Sequence, residues 1–116
     1  MFFTVPVYAQ RPGSDSENQI LSAVQKYNEH DFNAARSILK GVLQKDADTD
    51  AAWYYLALIS LAERDLDNAE FCLKQALAVD TQNFWYRYKL AGLYAITSRG
   101  ELTIDIYETL LKDFPK

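Results

Sequence analysis

The sequence predicts an all-α chain of three antiparallel helix hairpins, six helices in all, stacked on one another. Three observations carry that prediction. The chain repeats against itself at a spacing of 34 residues, its apolar residues recur at three- and four-residue steps, and no useful stretch alternates apolar with polar as a strand would. In the 34-residue register Ala23, Ala57 and Ala91 share one column, and Leu43, Leu77 and Leu111 share another. Ala35 and Ala69 align and are followed by Thr103; Leu39 and Leu73 align and are followed by Tyr107. Asp31 falls with Asp65, and Asp46 with Asp80. Internal repetition of this length marks an array in which each helix pair buries its apolar face against the next.

The elements follow in chain order. Residues 1–13 form a leader, with "MFFTVPVYAQ" apolar and "RPGSDS" rich in turn formers. Val7-Tyr8-Ala9 ahead of Gln10 has the small-residue spacing that signal peptidase reads, while a basic start and a long apolar centre are missing. The leader therefore reads as a truncated signal peptide, with a disordered tail as the alternative. The location expected from it is extracytoplasmic, in a bacterial periplasm or cell envelope; the alternative is cytoplasmic. No cysteine follows the apolar run, so a lipoprotein anchor is not expected.

The repeats then occupy residues 14–116. "NQILSAVQKYNEH" places Ile20, Val24 and Tyr27 on one helical face, with Ser14 and Glu17 spaced as a capping box. "NAARSILKGVLQK" gives the second helix its face of Ala35, Ile38, Leu39, Val42 and Leu43. "AAWYYLALISLA" is the third helix, capped by Thr49 or Asp50. "AEFCLKQALAV" repeats the second-helix face with Ala69, Cys72, Leu73, Ala76 and Leu77. "FWYRYKLAGLYAI", capped by Thr81 or Asn83, and "ELTIDIYETLLKDF" complete the third pair. "HDFN", "RDLDN" and "SRGE" are the breaks inside the pairs. Paired helices approach to roughly 8–10 Å, and Ala57 opposite Ala69 leaves that room.

Composition narrows the function. The 116 residues favour one domain, and the net charge of −4 opposes nucleic acid and anionic lipid, both of which need a basic footprint. Arg87 and Lys89 beside Trp85, Tyr86 and Tyr88 are too little basic charge for nucleotide stacking. One cysteine, Cys72, and one histidine, His30, are too few for a zinc site and give no disulfide, so Cys72 reads as a small core residue. The longest apolar run stops at Glu63-Arg64, short of a bilayer span. Asp46, Asp48 and Asp50 superficially resemble a calcium loop but lack its glycine and closing glutamate. No pair of acid and base, phosphate loop or nucleophile elbow is present. The expectation is a protein without cofactor, metal or catalysis.

Trp53, Leu56, Ala57, Ala69, Leu73 and Ala76 resemble the tetratricopeptide repeat (TPR). Residues 50–83 carry the best copy. Residues 16–49 carry a weaker one, with Gln19 and Ser22 at the positions of Trp53 and Leu56; residues 84–116 carry a third, with Leu90, Ala91, Tyr94, Tyr107, Leu110 and Pro115. The usual loop glycine is replaced by Glu63-Arg64 in the second copy, and Gly100 comes late in the third. The resemblance implies an α-solenoid, a right-handed superhelix in which Trp53 packs on the second helix of its own pair. It also implies a concave groove lined by the first helix of each pair. That groove would take Ile20, Val24 and Tyr27, then Tyr54, Leu58 and Leu61, then Trp85, Tyr88, Lys89 and Gly92. At the positions where chaperone-binding relatives clamp a terminal carboxylate stand Ile20, Val24, Tyr55, Trp85 and Lys89, and only Lys89 has suitable chemistry. The implied function is non-catalytic: a scaffold gripping a protein or peptide partner through Tyr27, Tyr54, Leu58, Leu61, Trp85, Tyr88 and Lys89. Ile104, Tyr107, Leu111 and Phe114 on the last helix would contact further TPR repeats or a second copy in a homodimer. The alternatives are an oligomerisation or spacer segment of a longer array, or an accessory domain of a larger enzyme.

Overall fold

The computed structural model describes residues 14–97 and 100–113. The expected leader at 1–13, residues 98–99 of the third break, and Phe114 and Pro115 lie outside the described residues. Six helices follow one another: α1 Ser14–Asn28, α2 Phe32–Lys45, α3 Asp50–Ala62, α4 Leu66–Val79, α5 Phe84–Ile96 and α6 Gly100–Asp113. No strand occurs among the described residues. The chain divides into two compact units between Ala47 and Asp48, close to the boundary of the first repeat.

In the first unit α1 packs against α2. Ala23 on α1 and Ala35, Leu39 and Val42 on α2 are buried. Gln19, at the position that Trp53 holds one repeat later, leaves its Oε1 buried with no hydrogen-bond partner. An amide oxygen in that state costs about 1–3 kcal/mol, in keeping with the weaker match of the first repeat.

In the second unit α3 packs on α4, α4 on α5 and α5 on α6. The small residues do what their spacing predicts: Ala57, Ala69 and Ala91 are wholly buried, and Leu73 and Ala76 fill the groove beside them. Cys72 is buried among them as a free thiol. Trp53 sets its ring edge-on to Phe71 of α4 at 5.9 Å, the expected contact with the second helix of its own pair. Ser60 and Asn68 add a 2.6 Å hydrogen bond across the same hairpin.

The first two turns are built alike. His30 and Arg64, a repeat apart, take φ of 63° and 64°. Each closes a helix in the same way: the N–H of Asp31 reaches the carbonyl of Lys26 and that of Asp65 reaches the carbonyl of Ser60, both at 2.8 Å. This six-residue closure demands a left-handed residue, usually glycine. Asp31 and Asp65 then cap the next helices, accepting from Ala34 N and Asn68 N at 3.2 Å. Asn83 caps α5 by accepting from Tyr86 N at 3.1 Å, whereas Thr49 precedes α3 without a side-chain cap. The capping box expected at Ser14 rests on a side chain outside the described set.

Candidate functional site

α5 is held in place by two buried tyrosines, and this decides which of its faces remain available. Tyr86 donates its hydroxyl to the Asp50 carboxylate at 2.7 Å and lies 4.9 Å from the ring of Tyr54. Burial first, and then the Asp50 carboxylate, push the Tyr86 phenol far above its ordinary range. Tyr94 donates to Glu70 of α4 at 3.1 Å, and burial followed by that bond raises its pKa as well. Lys74 pairs with the same Glu70 at 2.9 Å, and their hydrogen bond raises the lysine. Arg87, one turn from the start of α5, is buried and meets Asp113 near the end of α6 at 2.8 Å. That ion pair removes Arg87 from any nucleotide-stacking role.

What stays open on α5 is aromatic. Trp85 is 62% exposed and Tyr88 47%. Tyr88 stacks on Phe84 at 5.9 Å, with their planes 12° apart, because positions i and i+4 share a helix face. Trp85 stands edge-on to both Phe84 and Tyr88, at 5.1 and 6.4 Å. Tyr88 leads across to Tyr107 of α6 at 6.2 Å.

Behind these rings lies an open cleft of about 220 Å³, lined by Leu61, Tyr88, Lys89, Gly92, Leu93, Ile96 and Tyr107. It joins two sets of residues predicted separately: Leu61, Tyr88, Lys89 and Gly92 from the groove, and Tyr107 from the last helix. Trp85 touches the edge of the cleft through Tyr88. Ile104 and Leu111 are exposed on α6.

The remaining groove candidates lie elsewhere. Tyr54 turns its ring to Tyr55 and the buried Tyr86, and Leu58 is half-buried beside it on α3. Tyr27 packs on Phe32 at 5.7 Å within the first unit, which also holds the half-buried Ile20 and Val24. Ile96, 65% exposed, was not among the predicted residues. Its signal was available, since Tyr88, Gly92 and Ile96 fall at successive i+4 steps along one face of α5.

The arrangement suits burial of apolar side chains beside one cation. The titratable groups lining the cleft are Tyr88, Lys89 and Tyr107, which include no pairing of nucleophile with base. Among the described residues no group of three or more His, Cys, Asp or Glu is placed to hold a metal ion, and no helix is long and apolar enough to cross a membrane.

Among curated proteins, none matches this sequence. The family profile of the tetratricopeptide repeat matches residues 27–91, more than half of the chain, running from the end of α1 into α5. That span holds His30 and Arg64 of the two like-built turns, the buried Ala35, Ala57, Ala69 and Ala91, and the Trp53 contact. On its sequence and its helix pairs alike, the chain belongs to the tetratricopeptide-repeat family.

Proposed function

We propose that this protein is a non-catalytic scaffold that holds a partner polypeptide on the aromatic face of its third hairpin. Repeats of this family generally mediate protein–protein interaction. The observation that carries the reading here is the cluster of Trp85, Tyr88 and Ile96, all substantially exposed around an open cleft with Lys89 in its lining. Contiguous exposed apolar surface of this kind marks contact sites, and tryptophan and tyrosine are the residues that most often dominate contact energies. The apolar leader supports a place outside the cytoplasm.

The test is affinity capture of partners with the full chain and with Trp85→Ala and Tyr88→Ala. Leu21→Ala, an exposed apolar residue of the first unit, is the control. The expected result is loss of capture in both aromatic variants, with helical circular dichroism intact and the control unaffected. Capture that survives both substitutions removes the reading. A second reading, assembly through α6, is favoured by the exposure of Ile104 and Leu111 at 61% and 66%. A dimer seen by sedimentation and lost on Leu111→Glu would support it.

A further inference from the structure

The floor of the cleft is a glycine where the other repeats carry a branched side chain. Gly92 holds the register position of Leu58 one repeat earlier and Val24 two repeats earlier. A Cβ built on Gly92 meets nothing within 4 Å. Packing therefore does not require the glycine, and in a helix interior it weakens the helix. Its effect is to open a hollow between Tyr88, Ile96 and Tyr107. At about 220 Å³ the hollow falls below the roughly 300–1,000 Å³ of small-molecule sites. Its scale suits a single protein side chain.

The second hairpin shows what shape of partner fits such a face. Tyr54, Glu70 and Leu73 are the register counterparts of Tyr88, Ile104 and Tyr107. On the second hairpin that face is covered by a helix, α5, through Tyr86 on Tyr54 and Tyr94 on Glu70. The same face of the third hairpin has altered chemistry. Ile104 replaces Glu70 and Phe84 replaces Asp50, the two carboxylates that accept the tyrosine hydroxyls of α5. A helix bearing those hydroxyls would bury them against apolar side chains, where an unmade hydrogen bond is costly. Lys89 stands where α3 has Tyr55, and among the described residues it has no ion-pair partner. The occupant favoured is thus not a helix like α5, and Lys89 in the lining favours one that brings a carboxylate.

We propose that the Gly92 hollow is the anchor pocket for a helical segment of a partner protein, which inserts one bulky apolar side chain between Tyr88, Ile96 and Tyr107 and sets a carboxylate against Lys89. The proposal rests on the interaction reading above and adds the chemistry of the partner.

The test uses the full chain and three labelled, alanine-based helical peptides. One carries a central leucine flanked by glutamates, one the same leucine flanked by lysines, and one the glutamates with alanine in place of the leucine. Binding is read by anisotropy and by amide shifts at Lys89, Gly92 and Ile96. The acidic leucine peptide should bind about fiftyfold tighter than its alanine counterpart, the effect of burying roughly three carbons. It should bind several-fold tighter than the lysine peptide at low salt, a preference that Lys89→Glu reverses. Gly92→Leu should erase the advantage of leucine over alanine while holding or raising the thermal midpoint, since it restores the side chain of the second repeat and removes a helix glycine. Equal affinity for all three peptides would overturn the proposal, as would binding indifferent to Gly92→Leu. Self-association in sedimentation that Gly92→Leu abolishes would assign the hollow to a second copy instead. Peptide binding that fails while Tyr88→Ala still abolishes partner capture would leave the interaction reading intact and defeat this one.

Discussion

Leu73 of α4 and Tyr107 of α6 occupy the same position of the repeat, yet Leu73 is wholly buried and Tyr107 is 37% exposed. The contrast runs through the two hairpins. Glu70 accepts a hydroxyl from α5, while its counterpart Ile104 is 61% exposed. Trp53 joins its hairpin by ring contact with Phe71, whereas its counterpart Arg87 does so by an ion pair with Asp113. Leu58 is half-buried where Gly92 leaves a hollow. What the two hairpins share lies between their own helices: Ala57 and Ala91, Leu56 and Leu90 are buried in both. The repeat thus governs contacts within a pair, and among the described residues the outer face differs with the helix packed on it, α5 on the second hairpin and none on the third.

That comparison can be broken most directly at the Leu73/Tyr107 column. Leu73→Ala should destabilise the chain by about 3 kcal/mol or more, as for a leucine truncated in a closed core. Tyr107→Ala should cost less than about 1 kcal/mol, near the limit for surface substitutions. Urea unfolding followed by circular dichroism measures both. Equal costs would mean that the third hairpin is covered in solution and that its open face does not persist there.

The ion pair of the third hairpin sharpens the same contrast. Asp113→Asn leaves the buried Arg87 without its carboxylate. The expected loss is about 2 kcal/mol, below the 3–5 kcal/mol of a fully buried pair because Asp113 is partly exposed. Joint replacement by Arg87→Met and Asp113→Ala should recover most of it. If the double variant is no better than the single one, Arg87 acts through packing alone.

The smallest effect expected lies in the turns. Arg64 pays for a left-handed backbone that glycine adopts freely, so Arg64→Gly should stabilise the second hairpin by up to about 1 kcal/mol. A shift of the urea midpoint to higher concentration checks it. Destabilisation would show that the Arg64 side chain contributes more than its backbone costs.

Much of this was legible in the residues. The alanine columns, Leu39 and Leu73 and the Asp31/Asp65 column follow from a 34-residue period combined with helical spacing, and the Trp53 contact from the resemblance to the tetratricopeptide repeat. The candidate site was legible only in part. Tyr88, Lys89 and Gly92 follow from the groove that the family resemblance implies. Tyr54 occupies the equivalent position to Tyr88, but its ring lies against Tyr86, a residue 32 positions along the chain. Ile96 was overlooked because the periodic pattern marks it as one more apolar helix residue, with nothing local to show that its face is left uncovered.

The sequence by itself determined the helices, their pairing and the residues between each pair, because these depend on contacts of short range along the chain and recur with the repeat. Only the tertiary structure decided which aromatics are spent on neighbours and which remain open. Tyr86 and Tyr94 became supports because Asp50 and Glu70 meet their hydroxyls across the α3–α5 and α4–α5 contacts. Tyr88 and Tyr107 line an open cleft because Gly92 leaves space between their helices. Exposure depends on which surfaces meet in three dimensions, and a period along the chain does not encode that.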